Sequence, residues 1–533
     1  FRSQVPDSGT TAGDCLHTVD ELTEDAVVAA RSRLDPAAGV MLSALWVAPA
    51  CQLVLIIHHL AVDGVSWRIL LEDLNVAWLQ SRAGQPVELP ASGTSFQRWA
   101  QVLTERSTAP EVVAQAAAWQ QVAATPALLP AVQPARDTFA AAGRLSVTLD
   151  DVDTVPTLLR EAPAAFHAGI NDVLLIGFAL ALAEFANGDR TIGIDVEGHG
   201  RHDELADHLD LSRTVGWFTT KYPVAVTVGD LSWTQVTSGD AALGAVLKDA
   251  KEQLRALPDG LTYGLLRYLN DDVDLETADP AIGFNYLGRL GGGSELSDEL
   301  WQVGRDGSAE VTGLATAVPM PLMHTVELNA GTVDTDAGPQ LHANWMWAPS
   351  ALDQEQVTRL SRLWFDALTG ICALVRAGGG GLTPSDIAPA RLDQQQIDEL
   401  ERAHPVADIL PLTPLQQGLL FHAAQSGADA DLYAVQLDLT LAGPLDAERL
   451  RDAVQTVVER HPNIAARFHA GLDVQVIPAA PEVAWRMLDA TDDDVTHICA
   501  AERAAVCDLT DEPAFRVTLV RTGEHRHRLV LTN

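Results

Sequence analysis

The hydrophobic and polar positions of this chain alternate between the two-residue period of strands and the longer period of amphipathic helices. The apolar runs 42–46 and 53–57 consist of β-forming residues and predict a pair of strands. Ser66 opens an apolar-periodic stretch that predicts a helix. Between the second strand and this helix lie His58, His59 and Asp63, so the pattern predicts a buried strand, a tight turn and a capped helix with polar groups at the turn.

The rest of the pattern predicts mixed α/β structure. Polar residues that cap helices precede several helical stretches: Thr18 or Asp20, Asn171 or Asp172, Ser238, and Ser350. The predicted helices are 18–30, 95–103, 111–122, 155–164, 171–186, 238–257 and 350–375. The predicted strands are 144–149, 190–196, 284–288, 319–330 and 340–347. Residues 124–138 are rich in Pro and Ala and aperiodic, which predicts a crossing between two halves, while 377–407 is Gly-rich and then polar, which predicts a linker.

Length and composition exclude several classes of protein. A chain of 533 residues is too long for one core, and three or so globular units are expected. The net charge of −37 argues against a nucleic-acid or anionic membrane surface. The longest apolar stretch, 173–183, is too short to span a bilayer. Five scattered cysteines without a CxxC pair predict reduced thiols and a cytoplasmic location, and the initial Phe1 indicates a piece of a larger protein.

The histidine pair is compatible with two interpretations. Histidine is the side chain best suited to proton transfer near neutral pH, and it lies here beside a carboxylate at a strand end. Two hydrogen-bonded structural histidines and a simple Asp63-Gly64 turn explain the same pattern equally well. A metal site is disfavoured, because adjacent residues of a strand point to opposite faces and no Cys or His cluster lies nearby.

Five motifs in order resemble one protein family. HHLAVDG at 58–64 resembles the HHxxxDG motif of the condensation-domain superfamily of nonribosomal peptide synthetases, and the following DGVSW resembles its epimerization branch. EGHGR at 197–201, RTVGWFTTKYP at 213–223, PDGLTYGLLRY at 258–268 and FNYLG at 284–288 resemble the other motifs of that branch. The chain departs from the family at His202, where Glu is usual. Taken alone, Glu197 would be interpreted as a solvated loop residue, so its importance rests on the resemblance.

The resemblance implies a chloramphenicol-acetyltransferase-like α/β fold, a V-shaped pseudo-dimer of two halves with a tunnel between them. The halves would be about 1–130 and 139–376. His59 and Glu197 would be the catalytic acid and base, although the family pattern leaves open which of them acts on the L-isomer. Asp63 is expected to pair with an arginine. Asn285 and Tyr286 are expected either to hydrogen-bond a substrate oxygen or to satisfy backbone groups. The other motif or substrate-channel residues would be His58, Asp63, Gly64, Ser66, Trp67, Arg201, Trp217, Tyr222, Tyr263, Arg267, Asn285 and Tyr286.

A second set of motifs begins after the predicted linker. ILPLTPLQQGLLFHA at 409–423 resembles the first motif of a condensation domain, and ERHPNIAARF at 459–468 loosely resembles the second. The end of the chain, RLVLTN, also repeats the character of the apolar run before His58. We therefore expect residues 1–376 to be an epimerization domain without its opening segment. Residues 408–533 would be the N-terminal part of a condensation domain, a partial second copy of the first half, cut before its His-His motif.

The implied activity is the L-to-D epimerization of the Cα of an aminoacyl or peptidyl thioester in antibiotic-type secondary metabolism. The substrate would be carried on the 4′-phosphopantetheine arm of an upstream carrier domain, and the chain itself would bind no cofactor and no metal. The expected partners are that carrier and the remaining domains of the synthetase, with no nucleic acid and no membrane. Two alternatives stay open: a condensing acyltransferase, and a noncatalytic docking module of the same superfamily.

Overall fold

The computed structural model describes residues 11–186, 191–275, 278–290, 300–302, 318–425, 434–505 and 508–533. It divides into two compact units. The first comprises 1–164 and 168–379, and the second comprises 165–167 and 380–533. The sequence also predicts a polar loop over 1–13 and a Gly-rich loop at 290–297, and both lie mostly outside the described residues.

The first unit begins with a small mixed sheet. Its strands are β1 (Leu16–Val19), β2 (Leu42–Val47) and β3 (Gln52–Ile57). β1 pairs with β2 in parallel, and β2 pairs with β3 antiparallel. A parallel pair needs a crossover, and the helix α2 (Glu24–Arg31) supplies it, packing Val27 and Ala30 against Leu45 of β2. The two strands predicted from the apolar runs are thereby confirmed.

A six-stranded sheet forms the second part of this unit. Its strand order is β4-β9-β8-β7-β5-β6. The strands are β4 (Gly143–Leu149), β5 (Thr191–Gly198), β6 (Thr220–Thr227), β7 (Ile282–Leu290), β8 (Val326–Thr335) and β9 (Gly338–Trp347). β8 and β9 form an antiparallel hairpin, whereas β7 pairs in parallel with both β5 and β8.

Helices cover one face of the six-stranded sheet. Helices α1 to α13 of the first unit are Ala12–Cys15, Glu24–Arg31, Gly64–Arg82, Phe96–Arg106, Pro110–Val113, Ala116–Ala123, Thr154–Pro156, Ala162–Ala165, Ile170–Ala186, Trp233–Ser238, Ala241–Arg255, Gly260–Leu269 and Gln354–Arg376.

Helix α9 (Ile170–Ala186) is buried on nearly all sides, as its uniform apolar character predicts. Its Phe178 packs against Phe284 and Trp345 of the sheet. Since alternate residues of a strand face opposite sides, the other face of this sheet carries the polar residues of β5, β7 and β8.

Several helix starts differ from the prediction because a neighbouring residue is the cap. Thr23, rather than Thr18 or Asp20, caps α2, and residues 16–19 are a strand. Asp353 caps α13 with Gln356 in a capping box, while the hydroxyl of Ser350 donates to Asp137. Each region offers several Ser, Thr or Asp residues with similar capping ability, so the sequence pattern does not separate them.

The predicted helix 238–257 begins three residues too early, and the short helix before it was not predicted. α10 (Trp233–Ser238) ends at Gly239, whose φ of 67° lies in the left-handed region, and Asp240 then caps α11 (Ala241–Arg255). A Cβ at Gly239 would lie 2.6 Å from the backbone nitrogen of Leu374, so the close approach of α13 also requires glycine there. Ser238 is therefore the last residue of one helix and not the cap of the next.

The second unit contains two sheets, described here by themselves. β10 (Val406–Pro411), β13 (Val474–Pro478) and β12 (Arg467–His469) form one, in the order β10-β13-β12. β11 (Gln436–Ala442), β16 (Arg526–Thr532), β15 (Arg516–Gly523) and β14 (Ala484–Asp489) form the other, in that order. The helices are α14 (Gln394–Ala403), α15 (Pro414–Gln425), α16 (Ala447–Arg460) and α17 (Val495–Ala504).

The end of the second unit repeats the start of the first. The order β14-α17-β15-β16 matches β1-α2-β2-β3, with the first pair of strands parallel and the second antiparallel in both. In this comparison β16 takes the place of β3, the strand that precedes His58. The repeat inferred from the apolar runs thus has a counterpart in strand order and pairing.

The segment 377–407 is more structured than a linker. It contains α14, capped by Asp393 in a capping box with Gln396. Its side chains Leu382, Ile387 and Ile397 are buried in a cluster that includes Ile409 and strand β13. The polar majority of the segment suggested a solvated chain, but its apolar positions at helical spacing bury one face against the second unit.

Among the described residues, no single helix has the length and apolar character to cross a membrane. The helical stretches Thr154–Ala165 and Ile170–Ala186, which meet at 104°, satisfy those criteria only when they are taken together.

Candidate functional site

The two adjacent histidines after β3 have different surroundings. His58 precedes a single 3₁₀ turn, His59–Ala61, and its Nδ1 accepts a hydrogen bond from the backbone nitrogen of Leu60 at 3.2 Å. Its imidazole therefore fixes the turn. The ring of His59 lies against the indole of Trp217, with 4.6 Å between ring centroids. His59 is exposed, so its ring is accessible to a ligand.

Asp63 caps the start of α3, and both of its carboxylate oxygens accept hydrogen bonds from neighbouring residues. Its carboxylate accepts from the backbone nitrogen of Ser66 at 2.7 Å and from the Ser66 hydroxyl at 2.8 Å. Arg201 donates to both of its oxygens, at 3.1 and 3.2 Å. Burial favours the neutral acid, but the hydrogen bonds from Ser66 and the Arg201 charge outweigh it and hold the pKa of Asp63 below its ordinary value. The expected pairing of Asp63 with an arginine is confirmed, and α3 begins at Gly64, not at Ser66.

Arg201 connects this turn to the loop after β5. Its guanidinium also donates to the carbonyl oxygens of Leu211 and Thr214, at 2.7 and 2.8 Å, and stacks 4.0 Å from the ring centroid of Phe218. The preceding Gly200 has a φ of 65°, and a Cβ there would lie 1.6 Å from the carbonyl oxygen of Phe218. The GHGR part of the motif therefore builds a buried connection between the two sheets of the first unit.

The same connection includes Ser66 and Gly216. The Ser66 hydroxyl oxygen accepts from the backbone nitrogen of Gly216 at 3.1 Å and lies 2.9 Å from its carbonyl oxygen. Because Gly216 directly precedes Trp217, these bonds place the indole beside His59. Trp217 is 40% exposed, so it forms a wall of the site and not part of the core.

Glu197 lies at the end of β5 on the polar face of the six-stranded sheet. The side-chain amide of Asn285 donates to its Oε2 at 2.8 Å. Burial and repulsion from Glu327 raise the pKa of Glu197 above its ordinary value, while His324, His59 and Lys221 oppose that shift. His59 and Glu197 thus come from different sheets and lie close enough to interact electrostatically.

A chain of ion pairs lies beside Glu197 on the same face. Asp195, two residues before it, accepts from Nζ of Lys221 at 2.8 Å and contacts Nε2 of His324 at 3.1 Å. The other nitrogen of His324 lies 3.3 Å from Glu327. Burial disfavours the His324 cation, but the two carboxylates outweigh it and raise its pKa to about 9. Both ring nitrogens therefore donate near neutral pH.

His324 in turn keeps its neighbour ionised. Burial would raise the pKa of Glu327, but the His324 cation and the amide of Asn329, which donates at 2.6 Å, hold it below its ordinary value. A Cβ at Gly283 would lie 2.5 Å from Nδ1 of His324, so the glycine provides the space for this ring. Glu197 is consequently placed between a fixed negative charge and several positive ones.

A second branch of the ion-pair chain contains the residues predicted from PDGLTYGLLRY. Lys221 also contacts Asp279 at 2.8 Å, and Asp279 contacts Arg267. Arg267 donates to the hydroxyl of Tyr263, which is otherwise buried against Trp119. Tyr263 and Arg267 therefore support the ion pairs on Lys221 and do not line the space beside Glu197.

The surroundings of four other predicted residues differ from those of Glu197. Tyr222 follows Lys221 on β6, faces the opposite side of the sheet, and packs near Trp119 in an apolar cluster. Tyr286 likewise alternates with Asn285, and its hydroxyl lies 3.0 Å from the Thr332 hydroxyl. The structure thus separates Tyr286 from Asn285, although sequence analysis grouped them. Trp67 is 39% exposed on α3, and a Cβ at Gly64 would meet open space.

Sequence analysis missed Asp195, Lys221, His324 and Glu327. The available signal was a polar residue at alternate positions of an otherwise apolar strand: Asp195 and Glu197 in β5, and Glu327 and Asn329 in β8. Within the described ranges, no three His, Cys, Asp or Glu side chains are arranged to bind a metal ion. The arrangement brings two titratable side chains, His59 and Glu197, within electrostatic range of each other, and the pKa of the Glu197 carboxyl is raised.

Comparison with known proteins gives one family. A family model described as "Condensation domain" matches residues 45–327 and 406–533. A linear gramicidin synthase of Brevibacillus parabrevis is 35% identical over 502 residues, which cover 90% of this chain and 6% of that protein. Chondramide synthase cmdD of Chondromyces crocatus is 31% identical over 557 residues, which cover 93% of this chain and 14% of that protein. The chain therefore spans only a small part of the length of these relatives.

Several solved structures match about two thirds of the chain, and one of them is an epimerization domain. It is the crystal structure of the epimerization domain from the third module of tyrocidine synthetase B. The superposition has a TM-score of 0.56 at 27% identity and covers 68% of this chain and 81% of that chain. The similarity is therefore one of fold and, at a modest level, of sequence.

Proposed function

The chain belongs to the Condensation domain family, and on that premise we propose that its first unit inverts the Cα of an aminoacyl or peptidyl thioester. The thioester is carried on the phosphopantetheine arm of a carrier domain within a nonribosomal peptide synthetase. The observation that carries the proposal is the position of Glu197: its carboxyl has a raised pKa and lies within electrostatic reach of His59 from the other sheet. The similarity to the tyrocidine epimerization domain supports the same activity.

The chemistry requires two proton-transfer groups. A base removes the Cα proton and the electron pair moves onto the thioester carbonyl oxygen, so that an enolate forms. A second group then delivers a proton to the opposite face of Cα, and the electron pair returns to carbon. Each well-placed acid or base contributes roughly 10²–10⁴-fold to such a step.

Glu197 and His59 are the two groups in this proposal. His59 lies in the turn after β3 and Glu197 at the end of β5, so the two groups come from different parts of the first unit. The raised pKa of Glu197 makes its carboxyl a better acceptor and donor near neutral pH than an ordinary glutamate. Asn285 donates to Oε2 of Glu197 at 2.8 Å, which fixes the position of the carboxyl.

The second unit is proposed to be the opening part of a condensation domain. The family model matches residues 406–533, and the order β14-α17-β15-β16 repeats the elements that lead to His58 in the first unit. A condensation domain at this position would use the inverted thioester as its donor. The partners proposed for the chain are therefore the carrier domain and the other domains of the synthetase.

The test is made with the chain and a carrier loaded with an L-aminoacyl or peptidyl thioester in D₂O. We expect the D-isomer to accumulate with deuterium at Cα, and the Glu197→Gln variant to lose at least about 10²-fold in rate, the lower end of the acid–base contribution. Glu204→Gln is the matched control, because Glu204 is an exposed carboxylate bonded to His202 and should retain full activity. Undiminished exchange in the Glu197→Gln variant would contradict the assignment.

The same assay separates the condensing alternative. A second carrier loaded with an acceptor amino acid is added to the reaction. Amide formation without deuterium at Cα would identify the first unit as a condensing acyltransferase. Carrier binding with neither reaction would identify it as a docking module.

A further inference from the structure

A row of uncharged hydrogen-bonding side chains crosses four strands of the six-stranded sheet. Asn285 of β7 lies opposite Asn329 of β8, Asn329 lies opposite Asn344 of β9, and Asn344 lies opposite Ser146 of β4. Residues that are directly opposite in neighbouring strands point to the same face of a sheet. We call these four residues the amide row.

The amide row starts at the proposed base. Asn285, its first member, donates to Oε2 of Glu197, so the row and Glu197 share one face. The opposite face at these strands is apolar: Leu328, Ala330 and Trp345 are buried there. A polar row in a sheet whose other face is packed core indicates a surface that is solvated or holds a polar ligand.

Exposure increases along the amide row. Asn285 and Asn329 are partly buried, whereas Asn344 and Ser146 are exposed. The row therefore leads from the interior, at Glu197, to the solvent at edge strand β4. With strands about 4.8 Å apart, its three steps span about 14 Å, which is the length of about four residues of extended peptide.

The chemistry of the row suits amides and not charged groups. Asn329 donates to Glu327 at 2.6 Å, and Asn344 accepts from the Ser146 hydroxyl at 2.8 Å. A side-chain amide has two N–H groups and a carbonyl with two lone pairs, so each asparagine retains both kinds of hydrogen-bonding capacity beyond these bonds. Peptide groups offer the complementary donor and acceptor.

We propose that the amide row binds the peptide upstream of the residue whose Cα is inverted, so that the first unit prefers peptidyl over aminoacyl thioesters. This inference rests on the proposed epimerase function and specifies its substrate class. The pantetheine arm also contains amides, and the experiment distinguishes it from the peptide.

The test varies peptide length against the outer end of the row. Carriers are loaded with an aminoacyl, a dipeptidyl and a tetrapeptidyl thioester that share the same C-terminal residue, and deuterium exchange at Cα is measured. We expect kcat/KM to rise with length in the wild type. Asn344→Ala should lower it roughly 2- to 10-fold for the tetrapeptidyl substrate, as for one lost neutral hydrogen bond, and leave the aminoacyl substrate unchanged.

Thr191→Ala is the matched control. Thr191 and Thr227 form an exposed cross-strand hydroxyl pair at 2.8 Å on β5 and β6, outside the amide row. The substitution removes a cross-strand hydrogen bond comparable to the one between Ser146 and Asn344, and it should not alter the length dependence. An equal loss for all three substrates in Asn344→Ala would assign the row to the arm and overturn the proposal, as would no loss at all.

A binding measurement keeps the inference testable if no exchange occurs. Calorimetry compares the tetrapeptidyl and aminoacyl amides of pantetheine as ligands of the wild type and of Asn344→Ala. Tighter binding of the tetrapeptidyl compound, lost in Asn344→Ala, would support the amide row even though the epimerase function had failed. Equal binding of the two compounds would overturn it.

Discussion

Glu197 is a carboxyl whose acidity is set by neighbours on both sides. Burial and the carboxylate of Glu327 raise its pKa, while His324, His59 and Lys221 lower it. His324 and Glu327 are themselves a coupled pair, because each stabilises the charged form of the other. Changing either member should therefore move the pKa of Glu197 in a known direction.

The first prediction concerns the acid limb of the pH profile. For the isomer that Glu197 deprotonates, exchange requires the carboxylate and is lost as the pH falls through its pKa. Glu327→Gln removes a repelling charge, so the limb should move to lower pH. His324→Gln removes an attracting charge, so the limb should move to higher pH. The measurement is the initial rate of Cα exchange as a function of pH.

The opposite directions of the two shifts make the test independent of general damage to the fold. His342→Gln is the control. His342 lies on β9, its ring contacts the Thr148 hydroxyl on β4, and it is not among the groups that act on Glu197. Shifts of the same sign in Glu327→Gln and His324→Gln would contradict the electrostatic account. An acid limb unchanged in both would show that Glu197 does not titrate in the rate-limiting step.

Much of the site could be read from the sequence, but not the supporting charges. The resemblance to the family motifs identified His59, Glu197, Asp63 and Arg201 as site residues. The arginine expected beside Asp63 is Arg201. His324 lies 129 residues downstream of its partner Asp195, and only the strand register brings the two together. Long-range pairing of this kind depends on sheet order, which the pattern of one sequence does not determine.

At the scale of elements, the N-terminus of α3 and the loop after β5 are held together by Arg201. Its side chain and that of Asp63 are only 9% and 5% exposed, and its second terminal nitrogen donates to two backbone carbonyls. Loss of one partner leaves a charge in a buried position without compensation. Such a loss is strongly destabilising, in contrast to the loss of an exposed pair.

The second prediction compares a buried pair with an exposed one. Arg201→Met should lower the free energy of unfolding by about 3–5 kcal/mol. Arg289→Met removes the exposed pair with Asp334 in the same sheet, and should cost no more than about 1 kcal/mol. Urea unfolding followed by tryptophan fluorescence measures both. Equal losses in the two variants would show that the Arg201 contacts do not join the two elements.

Element boundaries were predicted less well than element types. The strands and the buried helix α9 were found because their apolar periods are strong. The start of α11 was placed three residues too early because Ser238 and Asp240 are both good capping residues, and Ser238 is instead the last residue of α10. Faces within a strand were also missed: Asn285 and Tyr286 are adjacent in a motif but lie on opposite sides of the sheet.

At the scale of the whole chain, the sequence revealed the repeated elements but not the packing of the segment 377–407. The repeat was visible in sequence because an apolar strand run is conspicuous at both places. The core contribution of 377–407 was not visible, because only a few apolar residues are spaced along a polar stretch. Ile397 and Leu400 lie three residues apart on α14 and are both buried, so this helix packs one narrow stripe into the second unit.

The last prediction tests whether α14 belongs to the core of the second unit. Ile397 is fully buried, so Ile397→Ala should cost about 2–5 kcal/mol through lost burial and the cavity that remains. Hydrogen exchange followed by mass spectrometry should then show faster exchange in β10 and β13, whose residues share its cluster. Val457→Ala is the control: Val457 is 52% exposed on α16, and its loss should change stability by less than about 0.5 kcal/mol. If 377–407 were a solvated linker, Ile397→Ala would leave the exchange of both strands as it is in the wild type, and the buried cluster would have no part in the stability of the unit.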